Sequence, residues 1–265
     1  MKTNTLCSFL LSGALFVLFP APSVTAQTLA YDATVDFSVT KGNPNGVWSY
    51  GWMPSGFGPL NLFTTALNPG NGNPQWAGWY YDNSPTIWRN LGPLAYGVPT
   101  GWLSLHPGPG QEPAVLRWTA PTSGSVKLEG QFLPGDGGTM QVAVRLNGQP
   151  WWSDSDAGTF ALHTNVQAGA TIDFAVYGGY WYGNTPLAVT ISIPALRLDL
   201  ARDGTTNIVT FTPPAEGTYV LQFTDSLAPP IPWTDLSTNS LAADQFFRFV
   251  HSPASSLGFY RCRRD

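Results

Sequence analysis

The chain has 265 residues with only 11% charged side chains, 14% aromatics, eleven Trp, 28 Gly and 24 Pro, against about 25% charged in an ordinary soluble chain. Too few Lys, Glu and Arg are present for a coiled coil, a helical bundle or a charge-rich disordered chain. The net charge of −4, with no clustered basic face beyond Arg261, Arg263 and Arg264, sets the expectation of no nucleic-acid partner.

Residues 1–26 read as a secretory signal peptide. Lys2 supplies the positive start, residues 10–19 an apolar run, and Val24 and Ala26 the small residues before a cut ahead of Gln27. That run of about ten residues is short of the roughly 20 that span a bilayer, so a secreted chain (extracellular or periplasmic) with no membrane partner after cleavage is expected. Beyond the cut Cys262 stands alone. No internal disulfide can form, and a small apolar residue in the last strand is the plainest role for it.

The following sequence alternates with period two. Val35, Phe37 and Val39 predict a first strand; Val126, Leu128, Gly130 and Phe132 another; Met140, Val142, Val144 and Leu146 a third. Asn147-Gly148 predicts a tight hairpin with Trp151 and Trp152 opening the return strand. Phe160 and Leu162, then Ile172, Phe174 and Val176, then Val189, Ile191 and Ile193 continue the series, punctuated by Gly, Pro, Asn and Asp turns. Apolar residues do not recur at helical spacing without a Gly or Pro interrupting, so almost no helix is expected after the signal peptide. Many short strands with regular turns mean an all-β, jelly-roll-like sandwich over 27–195. After a boundary near 194–204, four or more short strands predict a smaller Ig- or fibronectin-like β module over 204–265, with Tyr219, Leu221, Phe223, Trp233 and Phe249 inside. Such a module is small enough to need packing on the first unit or an economical core of its own.

Specific segments carry a resemblance. Residues 43–52 (NPNGVWSYGW), 105–108 (LHPG), 116–121 (LRWTAP) and 168–176 (AGATIDFAV) resemble an uncharacterised β-sandwich domain found in secreted proteins of environmental bacteria. Residues 219–222 (YVLQ), 233–239 (WTDLSTN) and 259–261 (FYR) resemble a small C-terminal β module of the same exoproteins. The resemblance implies a jelly-roll, carbohydrate-binding-like fold of the kind that accompanies polysaccharide-acting enzymes. It fixes no activity, because one fold hosts many functions. No sorting tail follows the last module, so release rather than surface anchoring is expected.

Ten Trp and Tyr residues crowd positions 48–102 in segments thick with Gly, Pro and Asn. Such rings offer an apolar face that can stack on a sugar ring, and a polar handle. The competing reading is core: in Trp48-Ser49-Tyr50-Gly51-Trp52 all three rings face one side. The candidates for exposed, glycan-binding aromatics are Trp76, Trp79, Tyr80 and Tyr81, the pair Trp151 and Trp152, and the triplet Tyr180, Trp181 and Tyr182. Asp154 and Asp156, in Asp154-Ser155-Asp156-Ala157-Gly158, have the alternate hard oxygens of a structural calcium loop, although no downstream Glu closes it and an Asp/Gly turn explains the same residues. Asp136, in Pro-Gly-Asp-Gly-Gly, reads as a hairpin turn. His106 reads as a polar residue satisfied at a strand end; His163 and His251 are far apart and flanked by strand residues, and no zinc pattern exists. No nucleophile elbow, phosphate-cradling loop or dinucleotide motif is present, so no other cofactor is expected. A carboxylate pair could draw only on a few residues, such as Glu112 with Asp82 or Asp173.

The expectation is a secreted, non-catalytic protein binding a polysaccharide, a surface glycan or extracellular matrix through exposed aromatics. The alternatives are a self-associating structural or adhesive exoprotein and a small polysaccharide-active enzyme.

Overall fold

The computed structural model describes residues 28–68, 75–82, 84–194, 196, 198–214, 216–242, 245–254 and 258–264. The proposed signal peptide lies outside them. In chain order come β1 (Leu29–Asp32), α1 (Ala33–Asp36), β2 (Trp48–Trp52), β3 (Asn61–Leu62), β4 (Thr65–Leu67), β5 (Trp76–Tyr80), β6 (Thr86–Asn90) and β7 (Leu103–His106). Then follow β8 (Ala114–Thr119), β9 (Gly124–Phe132), β10 (Gln141–Leu146), β11 (Gln149–Ser155), β12 (Gly158–Val166), β13 (Thr171–Tyr177) and β14 (Thr185–Ile193). The C-terminal part holds β15 (Leu198–Asp203), β16 (Thr206–Phe211), β17 (Gly217–Thr224), β18 (Thr234–Leu241), β19 (Phe247–His251) and β20 (Phe259–Arg264). The fold is all-β, as the alternation requires, with one helical turn among the described residues.

Two antiparallel sheets face each other. One runs β12-β9-β14-β7-β6-β5-β4, with β1 added on β14; the other runs β11-β10-β13-β8-β2-β3. Inward residues from both, among them Leu128, Phe132 and Ile191 opposite Leu116, Trp118 and Phe174, form one apolar cluster. Removing each such side chain from water stabilises by about 1.5–3 kcal/mol, and that burial replaces the missing disulfides. Asn147 (φ 49°) and Gly148 (φ 77°) close the predicted hairpin between β10 and β11, both left-handed as a two-residue turn demands.

Two expectations are corrected. The strand predicted on Val35, Phe37 and Val39 does not form: Asp32 caps a helical turn by accepting from the amides of Thr34 (2.8 Å) and Val35 (3.1 Å). Such a cap offers the backbone an alternative to the ladder, and Val35 is left 71% exposed. The segment around Asp136 is not a hairpin, because β9 and β10 belong to different sheets and the loop crosses between them. Within the stretch 194–204, β15 pairs with β16.

The six-stranded sheet is covered on its outer side too. Met53, Phe57 and Leu60 pack over Val115, Ala175 and Tyr177. Beside them Arg117 binds the buried Asp173 through two bonds of 2.6 and 2.9 Å, and Arg145 faces Asp173 from β10.

The C-terminal strands make two three-stranded sheets, β15-β16-β19 and β18-β17-β20. Their core is Phe211, Tyr219 and Leu241, with Phe247 and Cys262 against it. Burial pushes the Cys262 thiol up to about 11, which suits an unreactive packing residue. Leu221 is buried as expected, whereas Phe223, Trp233 and Phe249 are only half-buried. Trp233 instead lies under the Arg261 guanidinium, 4.2 Å from the ring centroid. Two hydrogen bonds tie this part to the sandwich: the Ser125 amide donates to the Pro214 carbonyl (3.0 Å), and the Arg264 side chain donates through Nη1 to the Ser123 carbonyl (3.1 Å).

Candidate functional site

The outer face of the eight-stranded sheet ends in a cleft of about 470 Å³ over β4 to β7, within the ~300–1,000 Å³ usual for small-molecule sites. Strand register builds it. Gly78 pairs with Leu67 on one side and Trp88 on the other, and Trp88 pairs with Ser104. Tyr80 pairs with Thr86, and Thr86 with His106. Partners directly opposite in an antiparallel pair share a face, so Trp76, Gly78, Tyr80, Trp88 and His106 all point outward. Gly78, itself buried beside the buried Trp88, is a floor without a side chain between two aromatic ends; a Cβ there would lie 2.8 Å from Trp88 Cβ.

At one end Trp76 and Trp88 meet at 4.6 Å between ring centroids, tilted 32°. Tyr96 adds its edge to Trp76 at 5.1 Å. It is carried on a tight turn closed by the Ala95–Val98 bridge, with Tyr96 (φ 51°) and Gly97 (φ 72°) both left-handed. At the other end stand Tyr80, Tyr180 and His106, the last two edge-to-face at 5.4 Å. Ser84 Oγ donates to the Tyr180 hydroxyl (3.5 Å).

Asn184 holds the wall between β6 and β7. Its Oδ1 accepts from Trp88 Nε1 (3.0 Å) and Ser104 Oγ (3.3 Å), and its Nδ2 donates to Asp136 Oδ2 (2.9 Å). That network fixes which way the amide points and leaves one Nδ2 hydrogen for a ligand. Gly135 permits it: a Cβ there would overlap the Asn184 carbonyl. Trp76 Nε1 is buried and has no hydrogen-bond partner. His106 Nδ1 lies 2.8 Å from the Pro107 carbonyl; a carbonyl only accepts, so the proton sits on Nδ1 and Nε2 carries a lone pair.

Burial lowers the His106 pKa below its ordinary 6.5, against the opposing pull of the Asp136 charge. Burial lowers that of His251 as well. Between the depressed value and 6.5 the unfolded chain binds more protons than the folded one, so stability falls as pH drops through that window. The melting temperature is therefore expected to decline from pH 7 to pH 5.5, with a shallower decline in the His106→Gln/His251→Gln double variant. An equally steep decline in that variant would assign the effect to other groups.

The structure separates the nine aromatic candidates. Trp76, Tyr80 and Tyr180 come together in the cleft. Trp181 and Tyr182, 79% and 68% exposed, follow Tyr180 on the same loop. Tyr81 is exposed beyond the end of β5 and stacks on Trp52 at 5.1 Å. Trp79, expected at the surface, is instead buried: it faces inward between Tyr80 and Gly78, stacks on Tyr50 at 6.2 Å and donates Nε1 to the Ser38 carbonyl (2.9 Å). Trp151 and Trp152 are half-buried on β11, the predicted return strand, with Trp152 parallel to Phe132 at 6.1 Å. They stand where β11 and β12 meet, at the sandwich edge opposite β4. The cleft also needs Gly78, Trp88, Tyr96 and Asn184. Density of aromatics marked Trp88 and Tyr96 as part of the cluster, while nothing local marks Asn184.

Asp154 lies near the end of β11 and Asp156 in the turn to β12. Asp154 Oδ1 accepts from the Ser155 amide (2.8 Å), and Asp156 is left-handed at φ 68°. Among the described residues no three His, Cys, Asp or Glu side chains gather as metal ligands. None of the acids weighed for a catalytic pair lines the cleft. Asp173 is engaged with Arg117, and Glu112 Oε2 accepts from the Gly110 amide (2.8 Å).

No protein-family model matches the sequence, and no curated protein matches it. Among solved structures the chain is similar to the CBM22-1-CBM22-2 tandem domain of Paenibacillus barcinonensis Xyn10C, at 8% identity and a TM-score of 0.25 over 91% of this chain and 90% of that one. It is similar to a Paenibacillus xanthan lyase at 13% identity and a TM-score of 0.27, over 78% of this chain and 27% of that one. It is also similar to dimeric latent PorU from Porphyromonas gingivalis at 11% identity and a TM-score of 0.24, over 57% of this chain and 17% of that one. The chain thus spans about a sixth to a quarter of the length of the latter two. At these identities and scores the likenesses assign neither family nor activity.

Proposed function

We propose that the chain is a secreted, non-catalytic protein that binds a polysaccharide or surface glycan in the cleft over β4 to β7. The observation that carries this reading is the cleft itself: Trp76, Trp88, Tyr96, Tyr80 and Tyr180 surround a glycine floor, with no Asp or Glu among the described lining residues. Rings of this kind stack on the apolar faces of sugars while their polar edges, and Asn184, bond hydroxyls. The groups are held by a paired sheet and by the Asn184 network, so little ordering entropy is lost on binding. Glycosidic bond cleavage uses two carboxyls flanking the bond, and the lining supplies neither.

Affinity electrophoresis against plant, algal and microbial polysaccharides, with each lane assayed for released sugars, tests it. Retardation without release is expected, weakened roughly tenfold or more, about 1.4 kcal/mol, by Trp76→Ala. Sugar release would make the chain an enzyme, and undiminished retardation of the variant would move binding away from the cleft.

A further inference from the structure

Resting on that reading, we infer that the cleft selects an uncharged oligosaccharide segment of at least two rings, laid along β5 across the gap at Gly78. Length comes from the strand. Trp76 and Tyr80 share a face four residues apart, which at 3.2–3.4 Å per residue separates them by about 13–14 Å. A single sugar ring cannot touch both ends. Between them Gly78 provides no side chain, so a linkage can cross where Trp88 and Leu67 flank the floor.

The polar inventory sets the charge. No Lys, Arg, Asp or Glu is among the described lining residues. The unpartnered Trp76 Nε1 is a neutral donor, the free Asn184 Nδ2 hydrogen another, and His106 Nε2 a neutral acceptor. Hydroxyl groups donate and accept, and so satisfy all three. A carboxylate or sulfate ester brings acceptors only. It would meet the His106 lone pair and lose water with no cation to compensate. The charge hydrogen-bonded to the cleft wall, Asp136, is itself negative, and the whole chain carries −4, which opposes the approach of a polyanion. Burial keeps His106 neutral near pH 7, in the acceptor form the arrangement uses.

The test uses the full chain, as processed by the expressing cell, on matched neutral and acidic polysaccharides. These are hydroxyethyl against carboxymethyl cellulose and methyl-esterified against de-esterified homogalacturonan, with xylan and galactomannan added. Titration calorimetry then compares the monosaccharide, disaccharide and tetrasaccharide of the glycan that binds. Retardation by neutral polymers over their carboxylated forms is expected, with at least a tenfold gain from mono- to disaccharide. Trp76→Ala and Tyr180→Ala should each weaken it; Tyr96→Ala, at an exposed ring, serves if Trp76→Ala fails to fold. Stronger retardation by the carboxylated partner, lost in the Trp76 or Tyr96 variant, would overturn the charge selectivity and leave glycan binding standing. Equal affinity for monosaccharide and tetrasaccharide would overturn the length. Retardation by no polysaccharide at all would instead overturn the proposed function itself.

Discussion

Asp173→Ala is expected to destabilise the fold by about 3 kcal/mol, the low end of the ~3–5 kcal/mol seen when one partner of a buried ion pair is removed. The Asp173 side chain is fully buried while that of Arg117 is 23% exposed, so the stranded guanidinium regains some water and the cost stays at the low end. The position matters because Arg117, Asp173 and Arg145 face one another across three adjacent strands, β8, β13 and β10. Two cations then flank an emptied site beside the cluster of Met53, Phe57 and Leu60. Removing both charges in Arg117→Met/Asp173→Leu should recover most of the loss, since apolar replacements of similar volume avoid desolvating an unpaired ion. Urea denaturation of the three proteins measures this. A single-variant loss under 1 kcal/mol, or no recovery in the double, would show that the pair contributes little.

Gly78→Val is expected to abolish glycan retention and to cost about 1–3 kcal/mol, the usual range for forcing extra atoms into a packed site. The Cβ alone would sit 2.8 Å from Trp88 Cβ and 3.3 Å from the Ile87 carbonyl, displacing the ring that Asn184 holds. The branch would fill the floor on which a ligand has to lie. Gly124→Ala is the control: its Cβ meets only Ile193 Cγ2, at an ordinary 3.5 Å, and near-wild-type stability and retention are expected. Electrophoresis and urea denaturation are run on both. A Gly78→Val protein that folds and still binds fully would place the ligand elsewhere.

Legibility from sequence divides along physical lines. Strands such as β9, β10, β13 and β14 were readable because alternate apolar residues must share one buried face, and Asn147-Gly148 because few residues accept two left-handed positions. Asp32 defeated the same rule, since a cap three residues long outweighs alternation in a short segment. Aromatic density pointed to the stretch that builds half of the cleft, but not to which rings face it. In Trp76-Ala77-Gly78-Trp79-Tyr80 a slip of one residue exchanges the faces, and only the pairing of Trp79 with Ile87 and of Gly78 with Trp88 turns Trp79 inward and Trp76 outward. Asn184 reaches Trp88 from 96 residues away, carried there by the pairing of β14 with β7. Composition and period two by themselves determined an all-β chain rich in aromatics. The cleft, its glycine floor and its uncharged wall were decided only by the tertiary structure, because strand register and sheet order are set by non-local pairing that no local pattern encodes.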